Sequence, residues 1–477
     1  MGRDYDVDHS FTGSRPNRFV ISVALAAFLL HACCSLSMAA TYYISSSGND
    51  TAGGSSVAAA WKTIAKANAS LRPGDTVSIL AGTYADQIRP AVSGKSNKKI
   101  TYSAYQGQEV ILSNPICVDL RDRSHIGIIG FTARGGQRFL VTGEAKIQGN
   151  AHHNIIKNNT IANFTGWGTI YFSNNCTYNE ITGNTISTCH GDAILLSINC
   201  SHNKIQNNIV HDTAEHSELC IRGANSDHPK GRSDHNIIKD NTFYNSGGST
   251  DCAVMLLLNS NNNIFEGNRI YETTAAMGNG KYAGIKINNS SGNILRYNHF
   301  SNLDGFGALI YANVWGGLAF ASESNAIHNN VFHNCEVTRQ QIDEGAVVLY
   351  RYADAKAVSN NVIINNIISE SKYFAFVVAA VGEGGAMNNL FANNTLHNNN
   401  LPIRRSGKDL TAAQAMVAYS SEFKSLNDWN PQFVDVPDKN FTLLRTSPCI
   451  DAGRKHPSLQ MKIAGARPDI GADEYRD

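Results

Sequence analysis

The segment Asn154-Ile-Ile-Lys-Asn-Asn-Thr-Ile161 is the first of nine copies of one motif, with asparagine at positions 1 and 6 and an apolar residue at positions 3 and 8. The copies begin at Asn154, Asn179, Asn203, Asn236, Asn263, Asn293, Asn325, Asn361 and Asn389. Consecutive copies start 24 to 36 residues apart, so one repeat is too short to bury its own apolar face. The repetition predicts a solenoid whose successive turns stack on one another.

The repeating unit is predicted to be a coil of short strands. Apolar residues alternate with other residues between asparagine and glycine, which favours strands joined by tight bends over helices. A second apolar segment precedes the next copy, as in Gly168-Thr-Ile-Tyr-Phe172 and Gly284-Ile-Lys-Ile287. Equivalent strands should stack in parallel about 4.8 Å apart. The asparagines should then hydrogen-bond from turn to turn, at bends where asparagine tolerates left-handed backbone.

Two flanking segments extend the pattern to most of the chain. The first contains Thr41-Tyr-Tyr-Ile44 and Pro73-Gly-Asp-Thr76, and the second contains Ser447-Pro-Cys-Ile-Asp-Ala-Gly453. With the asparagine ladder, they resemble the right-handed parallel β-helix proteins of the pectate-lyase-like superfamily. The resemblance implies an all-β, right-handed parallel β-helix with an N-terminal helical cap and a C-terminal cap segment. It leaves function open, because this scaffold carries lyases, hydrolases, epimerases and adhesins.

The N-terminus predicts export. Arg15 and Arg18 precede the apolar run 19–30, and Ser37-Met-Ala39 offers the small residues that a signal peptidase reads. Lipoprotein processing at Cys33 is the alternative. The predicted organisation is a signal peptide over residues 1–39, a cap and first turns over 40–123, a β-helix core over 124–400 and a C-terminal cap region over 401–477. We expect a secreted protein, periplasmic or extracellular, without a membrane span.

The charge composition narrows the class of binding partner. The formal net charge is +1 over 477 residues, which argues against the concentrated basic surface that nucleic-acid binding needs. We expect a monomer that binds an anionic polysaccharide. Cys176 and Cys200 occupy the same place in successive turns, so either a disulfide or a stack of buried thiols fits them.

Longer turns point to the functional face, because insertions in a solenoid cluster on its binding surface. The extra residues, 222–235, 273–281, 312–324 and 335–344, are predicted to wall a groove. If Ile285 and Ile287 point inward, Lys286 and Asn288 point outward onto its floor. By the same alternation Glu218, Cys220 and Arg222 point outward on one side and Tyr350 on the other.

The outward basic residues suggest β-elimination from a uronic-acid polymer. This reaction needs a base that takes the proton beside the sugar carboxylate and a cation that stabilises the charge building up there. Lys286 is the candidate base, Arg222 the carboxylate clamp, and Tyr350 or His228 the acid that protonates the leaving oxygen. Six further residues are candidates for substrate binding: Asn288, Trp315, Lys230, Arg232, Arg351 and Glu344.

Other activities fit the same scaffold. A C5 epimerase shares the proton abstraction, whereas a glycoside hydrolase needs two carboxylates facing the bond, and outward acids are scarce. A noncatalytic adhesin or polysaccharide-binding protein needs no reactive residue. Asp212, Glu215 and Glu218 concentrate the oxygen ligands that Ca²⁺ prefers, so a calcium site in this turn is a further possibility and no other cofactor is expected.

Overall fold

The computed structural model describes residues 39–143, 150–245, 252–273, 283–335, 345–380 and 386–475. Ala40–Asp477 form one compact unit. The predicted signal peptide and Cys33 lie outside the described residues, so export and lipoprotein processing stay predictions. Among the described helices, none combines the length and the apolar character needed to cross a membrane.

Three long parallel sheets, here named A, B and C, build the fold. Sheet A contains Thr41–Ile44, Thr76–Ile79, Ile100–Ala104, Ile126–Ile129, Ile155–Lys157, Glu180–Thr182, Lys204–Gln206, Ile237–Lys239, Ile264–Glu266, Ile294–Arg296, Ala326–His328, Val362–Ile364, Leu390–Ala392 and Phe423–Lys424. Sheet B contains Gly82–Tyr84, Val110–Leu112, Thr132–Arg134, Thr160–Ala162, Thr185–Ser187, Ile209–His211, Thr242–Tyr244, Arg269–Thr273, His299–Leu303, Val331–Cys335, Ile367–Ser369 and Thr395–His397.

Sheet C contains Ile116–Asp119, Arg138–Val141, Gly168–Ser173, Asp192–Ser197, Leu219–Arg222, Cys252–Leu257, Ala283–Asn288, Phe306–Ala312, Gly345–Arg351, Phe374–Ala380, Leu401–Arg405 and Lys408–Leu410. Its last strand, Lys408–Leu410, is antiparallel to Leu401–Arg405. The chain passes through sheets A, B and C in turn and then begins the next coil. The stacked coils form a parallel β-helix. Sheet A runs from Thr41 to Lys424, so the coil continues past the predicted core boundary at residue 400.

The interior is a set of apolar stacks in constant register. Position 3 of the motif pairs along sheet A, where Ile156 is opposite Ile181 and Ile181 opposite Ile205. Position 8 does the same along sheet B, where the Phe300 and Phe332 rings stack 4.6 Å apart. Because one coil cannot enclose these side chains, each coil is stabilised by its neighbours.

The two asparagine ladders are complete and buried. In each ladder every side-chain amide except the last donates from Nδ2 to Oδ1 of the equivalent asparagine in the next coil, over 2.9–3.1 Å. Asn268 shows the full set: Nδ2 also donates to the Ile238 carbonyl, and Oδ1 accepts from both the backbone amide and Nδ2 of Asn241. The predicted ladder is confirmed.

The left-handed backbone lies one residue earlier than predicted. The ladder asparagines do not have positive φ, whereas the residue before each of them does. Before the first ladder these residues are His153, Tyr178, His202, His235, Asn262, Gly292, Ser324, Asn360 and Asn388. The reason is that the bend must turn the chain just before the ladder amide enters the interior, and asparagine's own bonds there require ordinary backbone.

The ends of the coil carry the helices. The α-helix Ile64–Ser70 is capped by Thr63, whose hydroxyl accepts from the Lys66 amide, and it buries Ile64 and Ala67 at the first coil. The α-helix Ala412–Ala418 packs on the last coil. Two 3₁₀ turns, Val57–Ala59 and Tyr105–Gly107, and the hairpin of Phe433–Asp435 with Asn440–Leu443 complete the elements.

The C-terminal segment lies along the outside of sheets A and B. Phe441, Leu443 and Ile470 pack against Val331 and Ile367, two residues on the outer side of sheet B. The Asn365 side chain fixes the segment because Nδ2 donates to the Arg454 carbonyl and Oδ1 accepts from the Arg454 amide.

His328 makes stability depend on pH. Burial lowers its pKa to about 4, with Arg296 adding to this and the bond from Nδ1 to Asn329 Oδ1 opposing it. The unfolded value is about 6.5, so the folded state binds fewer protons, and the stabilisation present above pH 6.5 is lost as pH falls towards 4.

We therefore expect His328→Gln to remove about 2 kcal/mol of the fall in unfolding free energy between about pH 7.5 and pH 5. Urea unfolding of both proteins at the two pH values measures this. Parallel pH dependence in wild type and variant would contradict the assignment.

Candidate functional site

The outer face of sheet C follows the predicted alternation. Ile285 and Ile287 lie in the interior, and Lys286 and Asn288 point to the other side. Two outward rows run along the coil axis. The middle row contains Leu195, Cys220, Met255, Lys286, Leu309, Val348 and Val377. The edge row contains Ser197, Arg222, Leu257, Asn288, Tyr311, Tyr350 and Ala379.

The middle row is not the solvent-lined floor that the alternation predicts. Its apolar members belong to a second buried cluster, which we name the outer apolar layer, and Leu318 and Phe320 from the loop after Ala312 pack against it. Lys286 is only 2% exposed. The prediction that Lys286 is an accessible groove residue is therefore wrong, because this face buries an apolar layer that strand alternation alone cannot reveal.

Arg222 ends its strand on the edge row and lies against Trp315. The guanidinium carbon is 5.5 Å from the centre of the indole ring, within the range of a cation–π contact. Ser233 fixes the backbone by donating from Oγ to the Arg222 carbonyl over 2.8 Å. Arg222 Nε is buried and has no hydrogen-bond partner among the described residues. Arg222 and Trp315, both predicted from the sequence as site residues, are therefore in contact.

Trp315 lies on a short reversal of the loop. Its amide donates to the Leu318 carbonyl, its carbonyl accepts from the Leu318 amide, and Gly316 and Gly317 between them have positive φ. The ring is 45% exposed. The two glycines allow the tight turn that holds the indole beside Arg222.

An amide cluster adjoins this pair. Asn288 and Asn289 both donate from Nδ2 to Asn313 Oδ1 over 3.0 Å, and the Asn313 amide donates to Asn289 Oδ1. Asn288 Oδ1 is buried and has no hydrogen-bond partner among the described residues. Buried acceptors are normally satisfied, so this oxygen is a candidate ligand contact.

A tyrosine cluster follows along the edge row. Tyr350 packs on Tyr352, with ring centres 4.6 Å apart, and Tyr311 approaches Tyr352 at 6.1 Å. Burial raises the pKa of Tyr352, and Tyr350 adds to the effect. Tyr352 and Asn313 were missed by the sequence analysis. Continuing the alternation past Tyr350 and Tyr311 would have found both of them.

The structure does not bring the other candidates together in the same way. Arg351 donates to the Ala355 carbonyl over 2.8 Å, and Arg232 donates to Asp234 Oδ2 over 2.8 Å. Lys230 is exposed. His228 Nδ1 is buried and has no hydrogen-bond partner within the described ranges. Glu344 lies outside the described residues.

The three predicted calcium ligands make separate contacts. Asp212 Oδ2 lies 2.6 Å from His211 Nδ1, and Glu215 Oε1 lies 3.2 Å from His190 Nε2. Glu218 is fully buried and accepts from the Thr213 hydroxyl over 2.9 Å, so its expected exposed position on the groove floor is wrong. Their ligand atoms do not form a cluster within the described part of the chain. Calcium binding stays a prediction.

Cys176 and Cys200 are both buried and unbridged, and so are the other six cysteines of the described ranges. Cys176 Sγ lies 3.1 Å from Thr142 Oγ1. Of the two alternatives, the stack of buried thiols matches the structure.

Residues 229–348, about a quarter of the chain, match the family described as a right-handed beta helix region. No curated protein matches the sequence. Among solved structures the chain is similar to the A-module of the mannuronan C-5 epimerase AlgE4 of Azotobacter vinelandii, at 13% identity and TM-score 0.50, with 75% of this chain and 90% of that chain covered. It is also similar to the pectate lyase Pel9A, at 13% identity and TM-score 0.47, with 93% and 98% covered.

A mannuronic acid specific polysaccharide family 6 lyase from human gut microbiota gives 13% identity and TM-score 0.47, with 78% of this chain and 84% of that chain covered. Identities this low show the fold alone. The right-handed parallel β-helix predicted from the sequence is confirmed.

Proposed function

We propose that this right-handed parallel β-helix binds an anionic, uronic-acid-containing polysaccharide along the edge row of sheet C and cleaves it by β-elimination. The contact of Arg222 with Trp315 carries the proposal. An indole face offers an apolar surface to a sugar ring, and a guanidinium fork holds a carboxylate with two parallel hydrogen bonds. A charged sugar needs both kinds of contact.

The unsatisfied atoms support a ligand at this place. Arg222 Nε and Asn288 Oδ1 offer one donor and one acceptor, and both are buried without a hydrogen-bond partner in the described ranges. A sugar carries carboxylate and hydroxyl groups that match such a pair. The two residues are two strands apart on the same row, about 10 Å, so neighbouring parts of a polymer would meet them.

The reaction assigns roles to Lys286, Tyr350 and His228. Lys286 lies two residues before Asn288 on the same face and is the proposed base for the proton beside the carboxylate. Tyr350, half-buried on the edge row, or His228 would protonate the leaving oxygen. Because Lys286 is 2% exposed, proton transfer requires movement of the outer apolar layer.

Hydrolysis is the weaker alternative. It requires two carboxylates facing the bond, about 5–10 Å apart. The outward positions of the middle and edge rows, from Leu195 to Ala379, carry no aspartate or glutamate among the described strands. A C5 epimerase shares the proton abstraction and differs only in retaining the leaving group, so it stays within the proposal as the nearest variant.

Incubation of the pure protein with a panel of uronic-acid polymers tests the reaction. A lyase produces an unsaturated sugar that absorbs in the ultraviolet, whereas a hydrolase produces reducing ends without that absorbance. An epimerase changes the ratio of the two uronic acids and produces neither signal. No change in any polymer of the panel would contradict the proposed activity.

Removing the guanidinium should weaken substrate binding. We expect Arg222→Ala to raise KM about 10-fold to 100-fold, because a charge-assisted hydrogen bond contributes about 1.5–3 kcal/mol. Arg232→Ala is the matched control, since Arg232 lies on the same loop but is already paired with Asp234 and should keep the wild-type KM. Equal effects of the two substitutions would point to general charge attraction rather than to a built contact.

Export is the remaining part of the proposal. It is supported by the basic residues and the apolar run at the N-terminus. Detection of the mature chain without residues 1–39 outside the cytoplasm would test it.

A further inference from the structure

Three histidines converge at one corner of the coil, at the bend that leads into sheet A. His125 belongs to one coil, and His152 and His153 belong to the next. His152 Nδ1 lies 2.9 Å from His153 Nδ1, and each of the three rings offers a nitrogen within 4.8 Å of the other two. No part of the proposed sugar site uses them.

The coil backbone fixes this arrangement. Ser124 forms a parallel bridge with His152, which forms another with Thr177 in the following coil. The His125 amide donates to the His152 carbonyl, and the His153 amide donates to the Thr177 carbonyl. His125 and His153 both have positive φ, and their rings stack with centres 4.9 Å apart and planes 26° apart. The site is therefore held in place by three stacked coils.

From this geometry we infer a binding site for a divalent transition metal ion, with Zn²⁺ as the best fit, formed by the imidazoles of His125, His152 and His153. Zinc binds imidazole nitrogen at about 2.0–2.1 Å in a tetrahedral arrangement, which places neighbouring ligand nitrogens about 3.3 Å apart. The observed 2.9 Å between His152 Nδ1 and His153 Nδ1 is close to that spacing. The rings of His125 and His153 are stacked, so they must tilt for their lone pairs to meet at one ion. Three protein ligands leave the fourth position for water.

The protonation chemistry is also suitable. Metals bind the neutral imidazole, and burial lowers the pKa of both His125 and His152, with the neighbouring histidines adding to the effect. Without metal, one Nδ1 must donate a proton to the other across the 2.9 Å contact. With metal, both Nδ1 lone pairs face the ion and each ring keeps its single proton on Nε2, so no proton needs to leave the protein.

The rest of the corner supplies a matched comparison. The His153 ring continues into a stack with Tyr178, His202 and His235, whose centres are 4.9–5.1 Å apart. In those coils the residue at the position of His152 is Thr177, Ser201 or Asp234. Each of those coils presents one ring, so among these coils only the one that contains His152 and His153 pairs two imidazoles with a third. His202 thus shares the backbone and stacking of His153 without the cluster.

Zn²⁺ titration of the full chain by calorimetry, against a competing chelator, tests the inference. We expect one saturable site per chain in the wild type. His152→Thr and His153→Asn should each weaken it at least 10-fold, and both introduce residues that other coils carry at these positions. His202→Asn should bind as the wild type does.

The melting temperature gives a second readout, since a ligand that binds only the folded state raises it. Zn²⁺ should raise it for the wild type and for His202→Asn, and a chelator should reverse the shift. Absence of a one-to-one site in the wild type would overturn the inference. Wild-type binding in both cluster variants, or equal loss in His202→Asn, would overturn it as well.

Discussion

Replacing Asn268 with leucine is expected to lower the unfolding free energy by about 3–5 kcal/mol. The substitution removes the bond to Asn298 Oδ1 and takes the Asn268 partner from the Ile238 carbonyl and the Asn241 amide. It also leaves Asn241 Nδ2 with one acceptor, the Ile205 carbonyl, in place of two. Each unsatisfied buried group costs about 1–3 kcal/mol, and the gain from added apolar surface offsets only part of the sum. Denaturant unfolding monitored by circular dichroism measures the change.

Asn207→Gly is the control for this experiment. Asn207 is exposed, has positive φ and lies next to the ladder residue Asn208, and glycine already occupies the equivalent position at Gly183 and Gly267. We expect an effect within about 0.5 kcal/mol. A comparable loss in both variants would show that asparagine content, and not the ladder, sets the stability of the coil.

Lys286→Met is expected to reduce kcat by about 10²-fold to 10⁴-fold, if Lys286 is the base of the proposed reaction. Methionine keeps most of the buried side-chain volume but carries no amine. Because Lys286 is buried among apolar side chains, Lys286→Ala would also open a cavity and confuse loss of chemistry with loss of packing. The melting temperature of the methionine variant, measured alongside kcat, separates loss of chemistry from loss of packing.

Met255→Leu provides the matched control. Met255 is the partner of Lys286 in the adjacent strand and lies in the same outer apolar layer. A volume-conserving change there should leave kcat within about twofold of the wild type. Full activity of Lys286→Met on a polymer that the wild type cleaves would remove Lys286 from the reaction and leave Tyr350 and His228 as the titratable candidates.

The regular part of the fold was predictable because it repeats. The motif fixes which residue of each coil enters the ladder, and period-two alternation correctly separates Ile285 and Ile287 from Lys286 and Asn288. Alternation cannot predict which residues of other segments pack against the outer face of the sheet. Leu318 and Phe320 reach the outer face from an irregular loop, so the apolar layer beside Lys286 is built by segments with no shared period.

The candidate site also depends on contacts between distant segments, which the sequence does not predict. Arg222 and Trp315 were each singled out by type and location, but their contact spans more than ninety residues and no sequence rule joins them. The histidine cluster was not predicted at all. Its three members come from two coils, and two of them, His125 and His153, lie in left-handed bends where the sequence pattern predicts asparagine.

The reversed strand at the end of sheet C has a consequence for association between molecules. A parallel stack ends in a row of unpaired amides and carbonyls, which can accept another coil from a second copy. Here the hairpin Leu401–Arg405 and Lys408–Leu410 occupies that edge, and Arg404 and Asp409 form an ion pair across it at 2.7 Å. The outer strand is three residues long and carries Lys408 and Asp409, and short, charged edge strands are poor templates for pairing with another chain. We therefore expect this edge of sheet C to disfavour head-to-tail addition of a second copy.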